Sequence, residues 1–328
     1  MIITRTPMRI TFGGGGTDIP SYYRKYGGTL ISAAIDKYMF IYVNRPIVDD
    51  LIRLKYSKTE IVENVDEIQH DIARESLRLM GIRDAIEITA MADIPSGTGL
   101  GSSGCFAVGL LNALHTLKRE HISAQDLAEE ACHIEIEVCH KPIGKQDQYL
   151  AAFGGITELE IDTCGRVRVS TSTIDCDIQR ELENNILLFF TGIKRESYDI
   201  LQGQSLATGR DEKRVVDNLH RIKEIGQQIK EALSTGNITR FGELLDVHWQ
   251  TKKKLSEKIA SPKIEQWYEV ARAHGALGGK IMGAGGGGFF MFYCERDKRE
   301  LRRAMVREGL RELHFRFDLE GSKVLVNF

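Results

Sequence analysis

Two stretches hold the side chains best suited to chemistry. The first is "DIPSGTGLGSSG", residues 93–104. Its glycines Gly97, Gly99 and Gly101 let backbone N–H groups turn toward an anion, and the start of a following helix favours negative charge. Ser102 and Ser103 add hydroxyls, one able to cap the helix and the other to reach a phosphate or a phosphate-bound Mg²⁺. A serine-capped turn would need none of the glycines. Four of them behind Pro95, with two serines, favour phosphate binding. "GLGSSG" also fits the dinucleotide pattern G-x-G-x-x-G. That reading needs a second parallel strand directly after the helix, ending in an acidic residue. Here "EHISAQDLAEEA" (120–131) reads as another helix start, so a dinucleotide fold is disfavoured. The P-loop pattern is absent, and Lys280 is followed by isoleucine.

The second stretch is "HIEIEVCHKPIGKQDQY", residues 133–149. A helix over 123–139 puts Glu135 beside Ala131, Ile134 and Val138, and turns Glu137 to solvent with Glu130 and His133. A carboxylate on an apolar face must be paired, protonated or metal-bound. Spacing alone reads Glu135 equally as a Mg²⁺ ligand or as half of a buried salt bridge. Asp147, after a Pro-x-Gly turn, reads in isolation as a helix cap. Lys145 reads as a solvated charge. His133 and His140 lack a third ligand and read as structural, and "HW" at 248–249 reads as core packing.

These residues need elements to hold them. "RITF", "TLISAAI" and "MFIYVN" read as strands, and "VDEIQHDIARESLRLMG" as a helix closed by Gly81. "AIEITAMADI" is a strand leading into the glycine loop, and "GCFAVGLLNALHTLKRE" has helical spacing. Ser123 with Asp126 starts the next helix, and strands follow to about residue 175. Residues 211–234 form an amphipathic helix, with two more around 238–259 and 263–274. "FFMFYC", "HFRFDL" and "KVLVNF" then read as strands around a helical "RDKRELRRAMVREG". The pattern is α+β, in two domains, 1–180 and 181–328.

Thirteen of the 32 glycines fall within 13–16, 97–104 and 283–288. The excess is therefore local, and marks three places where backbone must come close to something. With a net charge of −2, nothing favours nucleic acid or an anionic membrane surface. No apolar run is long enough for a membrane span. The six cysteines form no C-x-x-C pair, and the first residues do not resemble a signal peptide. The expectation is a cytoplasmic protein with reduced thiols. Whether it is a homodimer is left open.

Together "TPMRITFGGGGTD" (6–18), "PSGTGLGSS" (95–103) and "KIMGAGGGGF" (280–289) resemble, in order, the three motifs of the GHMP kinase superfamily of galactokinase, homoserine kinase, mevalonate kinase and phosphomevalonate kinase. The resemblance covers nearly the whole chain. "GGGGTDIPSYY", "PIGKQDQY" and "TGIKRES" are similar to variants in the D-glycero-D-manno-heptose 7-phosphate kinase group. Galactokinases carry a glutamate-histidine pair where Gly15 and Gly16 stand. L-fucose kinases share a similar first motif and are the nearest rival; a non-catalytic sugar or nucleotide sensor is another, against which Arg9, Glu135 and Asp147 together argue.

The resemblance implies an N-terminal α/β domain with a left-handed βαβ crossover, against the usual preference, and a ferredoxin-like C-terminal domain. It implies ATP and Mg²⁺, a sugar phosphate substrate, and transfer of the γ-phosphate to the anomeric C1 hydroxyl of a heptose 7-phosphate. Asp147 matches the acceptor-facing aspartate and Arg9 its basic neighbour. Gly15, Gly16, Thr17 and Asp18 match the sugar-binding turn. Pro95, Gly97, Gly99, Leu100, Gly101, Ser102 and Ser103, with Gly283, Gly285 and Gly286, match the walls around ATP. Ser103 and Glu135 match the Mg²⁺ ligands. Lys194 and Arg195 are the basic candidates for a 7-phosphate. Gly104 stands where alanine is usual, an expected cost to helix stability but not to chemistry.

Overall fold

In the computed structural model, residues 1–171, 174–194 and 198–328 are described. Among them run twelve strands and eleven α-helices. The strands are β1 (Ile2–Gly13), β2 (Gly28–Asn44), β3 (Ile52–Lys55), β4 (Thr59–Val62), β5 (Ile86–Ala92), β6 (Ile156–Ile161), β7 (Val167–Thr171), β8 (Ile186–Phe190), β9 (Gly278–Ile281), β10 (Phe289–Tyr293), β11 (Arg311–Leu313) and β12 (Lys323–Asn327). The helices are α1 (Pro20–Tyr26), α2 (Asp71–Leu79), α3 (Ser102–Leu117), α4 (Ala124–Cys132), α5 (Gln146–Phe153), α6 (Cys176–Asn185), α7 (Tyr198–Gly209), α8 (Lys213–Ser234), α9 (Ile238–Lys252), α10 (Pro262–Ala273) and α11 (Lys298–Arg307).

The first sheet runs β12-β1-β2-β5-β3-β4, with β6 and β7 joined to it through β2. Among the described residues only β3 and β5 pair in parallel. "TLISAAI" and "MFIYVN", read as separate strands, are one strand, β2. Its first half pairs with β6 and its second half with β5. Between the halves the register against β1 slips, from Tyr38 opposite Pro7 to Ile35 opposite Met8. Of the surplus residues, Asp36 finds a partner elsewhere: its amide donates to the Arg316 carbonyl at 2.9 Å. The chain's end thus returns to its beginning, and β12 pairs antiparallel with β1. "HFRFDL", expected as a strand, makes only a bridge between Phe317 and Ile35.

The second sheet has the order β11-β8-β10-β9, all antiparallel. Numbered within that half, this is the order fourth, first, third, second, with helices after the first and third strands. That is the ferredoxin-like arrangement. Its strands bury Phe290 and Phe292 against Trp249 of α9 and Tyr268 of α10. A separate apolar cluster fills the space between the first sheet and α2, α3 and α4.

After α4 the helix does not continue as expected. Residues 133–138 form a π-helix. Its wider turn advances each later side chain less far around the axis than an α-turn would. Val138, expected on the apolar face, is therefore 41% exposed, while Glu135 and Ile136 are buried.

Candidate active site

The glycine loop 97–101 leaves β5 and enters α3. Gly101, with φ of 83°, is the N-cap residue, and no side chain caps this helix. The two serines are therefore the first residues of α3, and neither serves as the expected cap. Ser102 lines the cleft. The Ser103 hydroxyl donates to Glu135 Oε1. Glu135 is fully buried, and Gln148 Nε2 of α5 donates to its other oxygen, Oε2, at 2.6 Å. Burial pushes the Glu135 carboxyl up. No lysine or arginine forms a salt bridge with it among the described residues, so the buried-salt-bridge alternative is not what the fold builds. A carboxylate and a hydroxyl converging beside the glycine loop are the kind of oxygen donors that Mg²⁺ accepts. The described residues contain no larger cluster of metal-binding side chains. A Mg²⁺ ion there would complete its shell with phosphate oxygens and water.

Arg9 lies in the middle of β1 and holds this loop through two adjacent carbonyls. Its amide donates to the Leu100 carbonyl at 3.1 Å, and Nη1 donates to the Gly99 carbonyl at 2.6 Å. Nε and Nη2 both reach Asp147 Oδ1, at 2.8 and 2.7 Å. Asp147 is the second residue of α5, and no side chain caps that helix, so it is not the cap its position suggested. A carboxylate in a helix's first turn is favoured by the helix dipole. Among the described residues no hydrogen bond reaches Asp147 Oδ2. Gly104 lets α3 and α5 meet: a Cβ there would lie 2.8 Å from Asp147 Cβ and 3.0 Å from the Gln148 nitrogen.

Another wall of the cleft comes from the first glycine run. Gly15, Gly16 and Asp18 line the cleft. The Asp18 carboxylate accepts from the Gly16 amide (3.0 Å) and the Gln146 amide (3.1 Å). Burial raises its pKa, the Gln146 bond opposes the rise, and Asp147 adds to it. The Thr17 hydroxyl points elsewhere: it donates to the carbonyls of Gly14 and Thr29, inside the turn. Arg195 lies outside the described residues, and Lys194 is exposed.

The third glycine run closes the cleft. Gly99, with φ of 85°, would drive a Cβ to 2.6 Å from the Met282 carbonyl oxygen, and a Cβ on Gly283 would meet Gly99 Cα at 2.9 Å. Two backbones touch here, which only glycine permits. Gly283 lines the cleft, whereas Gly286 is spent on a bond from its amide to the Ile259 carbonyl and Gly285 packs on Ile259.

Several residues in the walls carry no local signal in the sequence. Gln146 donates to the hydroxyls of Thr11 and Ser32, tying α5 to the sheet. Lys145 is not a solvated charge: it is buried and bonded to Glu129 (2.8 Å) and the Gly165 carbonyl (2.8 Å). His248 is not only core packing, because with Lys252 and Lys280 it lines the cleft. Trp249 beside it is wholly buried, as expected.

Comparison with known proteins sets this geometry among relatives. The family description "GHMP kinases N terminal domain" matches residues 68–155, and "GHMP kinases C terminal" matches residues 229–312. A D-glycero-alpha-D-manno-heptose 7-phosphate kinase of Campylobacter jejuni is 32% identical, with 98% of each chain covered. A Bacteroides fragilis L-fucokinase/L-fucose-1-P guanylyltransferase is 25% identical over 91% of this chain but only 35% of its own length. The crystal structure of a D-glycero-D-manno-heptose 1-phosphate kinase from Bacteroides thetaiotaomicron superposes with a TM-score of 0.81, at 25% identity and full coverage of both chains. A sugar kinase structure from Campylobacter jejuni gives 0.77 at 29% identity, covering 98% of this chain and 97% of its own.

Proposed function

Since the chain belongs to the GHMP kinases, we propose that it transfers the γ-phosphate of ATP to the C1 hydroxyl of D-glycero-D-manno-heptose 7-phosphate, toward a nucleotide-activated heptose. It is a carbohydrate kinase, a phosphotransferase that uses ATP. The heptose, its 7-phosphate and the C1 position are our reading. The relatives named for heptose phosphates support it. The observation that carries the chemistry is the Arg9–Asp147 pair, in which one carboxylate oxygen is held by two arginine nitrogens and the other is left available.

Phosphoryl transfer needs positioning and neutralised charge more than covalent help. The acceptor hydroxyl would lie between Asp18 and Asp147. Asp147 Oδ2 takes its proton as the oxygen attacks phosphorus, the bond to the ADP oxygen breaks, and the electron pair leaves on ADP. Arg9 orients the Asp147 carboxylate and adds positive potential. Amides of the 97–103 loop cradle the phosphates. Mg²⁺ held by Ser103 and Glu135 would supply further charge neutralisation.

The two-domain division near residue 180 and a cytoplasmic location belong to the same reading. All six cysteines are free, as a reducing compartment would keep them. No described helix is long and apolar enough to cross a membrane. A second reading, an L-fucose 1-kinase, draws on the Bacteroides fragilis relative. A panel of heptose, heptose 7-phosphate, L-fucose and galactose tests both, with ADP release and the position of the new phosphate measured. Heptose 7-phosphate should give the highest kcat/KM and a 1,7-bisphosphate product. Preference for L-fucose would replace the first reading by the second.

A further inference from the structure

Lys280 is one of the largest fully buried side chains of the protein, yet it lines the active-site cleft. It reaches across from β9, so that Nζ donates to the Phe12 carbonyl at 3.1 Å and approaches His248 Nε2 at 3.5 Å. No salt bridge to Lys280 forms among the described residues. An ammonium has three protons to donate, and this one has two partners. If Nε2 of His248 accepts from Lys280, the ring proton sits on Nδ1. That nitrogen is buried and without a partner among the described residues. Lys252 lines the same wall, bonded to the Ile281 carbonyl at 3.1 Å and the Gly283 carbonyl at 2.5 Å.

Burying an ammonium without an anion is costly, and a methionine would fill the same space without that cost. A wall that buries the Lys280 ammonium beside an unspent donor is built for an anion that arrives with the ligand. In a phosphotransferase that anion is a phosphate group. We propose that Lys280 and His248, backed by Lys252, form a phosphate-receiving subsite at the floor of the cleft. Burial and the neighbouring Lys252 and Arg9 push Lys280 well below the ordinary lysine value, as expected of a site whose counter-charge comes with the ligand.

The phosphate has two sources, the sugar phosphate or the γ-phosphate of ATP. The sugar-phosphate source rests on the heptose phosphate reading; the subsite itself does not. Binding is measured calorimetrically for wild type, Lys280→Met and His248→Gln. The second variant keeps an acceptor for Lys280 and lacks the Nδ1 donor. Ligands are heptose 7-phosphate, heptose, ATP and ADP, and inorganic phosphate is tested by thermal shift.

Loss of a charge-assisted bond should weaken the responsible ligand by about ten- to hundredfold. A loss confined to heptose 7-phosphate, with heptose unchanged, assigns the subsite to the sugar phosphate. A loss confined to ATP, with ADP unchanged, assigns it to the γ-phosphate. Either way inorganic phosphate should raise the Tm of wild type and not that of Lys280→Met. If all ligands bind both variants within about twofold of wild type, and phosphate protects them equally, the subsite is refuted, even when wild type phosphorylates the heptose phosphate. If wild type does not distinguish heptose 7-phosphate from heptose, the substrate reading fails instead. The ATP, ADP and inorganic phosphate comparisons then decide the subsite.

Discussion

Arg9 binds one oxygen of Asp147 with two of its nitrogens, at 2.8 and 2.7 Å, and fixes the Gly99 carbonyl with the third at 2.6 Å. One guanidinium thus sets the distance between the Asp147 carboxylate and the glycine loop. Asp147→Asn keeps the shape of this arrangement and removes the carboxylate proposed to take the acceptor's proton. Turnover should fall by about 10²–10⁴-fold, with ATP affinity within about twofold of wild type. Steady-state kinetics with equilibrium ATP binding checks this, and near-normal turnover would mean that Asp147 only positions the acceptor.

Gly104 separates stability from chemistry. By helix propensity it should weaken α3 and leave the reaction alone. The structure adds a constraint: a Cβ at 104 would press on the backbone of Asp147 and Gln148. Gly104→Ala gains about 1 kcal/mol in helix propensity and loses about 1–3 kcal/mol to overpacking. A shift of Asp147 by a fraction of an ångström to one ångström should cost up to about 100-fold in kcat. Urea unfolding and kcat, measured together, test the pair of effects; an unchanged kcat would show that α5 yields without moving the carboxylate.

Glu135 and Ser103 should govern the metal requirement. Glu135→Gln is expected to raise the Mg²⁺ concentration for half-maximal activity by about tenfold or more, and Ser103→Ala by less. Mn²⁺ binding followed by paramagnetic resonance in the presence of ATP gives a readout independent of turnover. Equal Mn²⁺ affinity in all three proteins would remove these residues from the metal site.

The buried Lys280 gives the free protein a pH signature. Its folded pKa lies well below the ordinary lysine value, because of burial and then Lys252 and Arg9. Between the two values the unfolded chain holds more protons than the folded one, so stability rises with pH through that window. Below the folded value the full penalty is present. Lys280→Met lacks this slope. Urea unfolding from pH 6 to 9 should therefore show its advantage over wild type shrinking as pH rises. Parallel stability curves would contradict the buried charge.

Much of this molecule is legible in its sequence. The three glycine stretches, their order, the helix after 97–103 and the distinction between Glu135 and Glu137 all follow from local rules of backbone freedom and helical period. Glu137 is indeed exposed and paired with Arg24. Such rules act over a few residues, where chain geometry alone fixes which groups can meet. Tertiary structure decided the rest. It put Lys280 on the carbonyl of Phe12, 268 residues away in sequence, and His248 beside it. It buried Lys145, closed Gly104 onto Asp147, and turned Val138 outward through a π-turn. No local period encodes these contacts, because each depends on how two distant elements pack. A lysine in a glycine-rich motif and a histidine before a tryptophan become a charged pocket only when β1, α9 and β9 share one core.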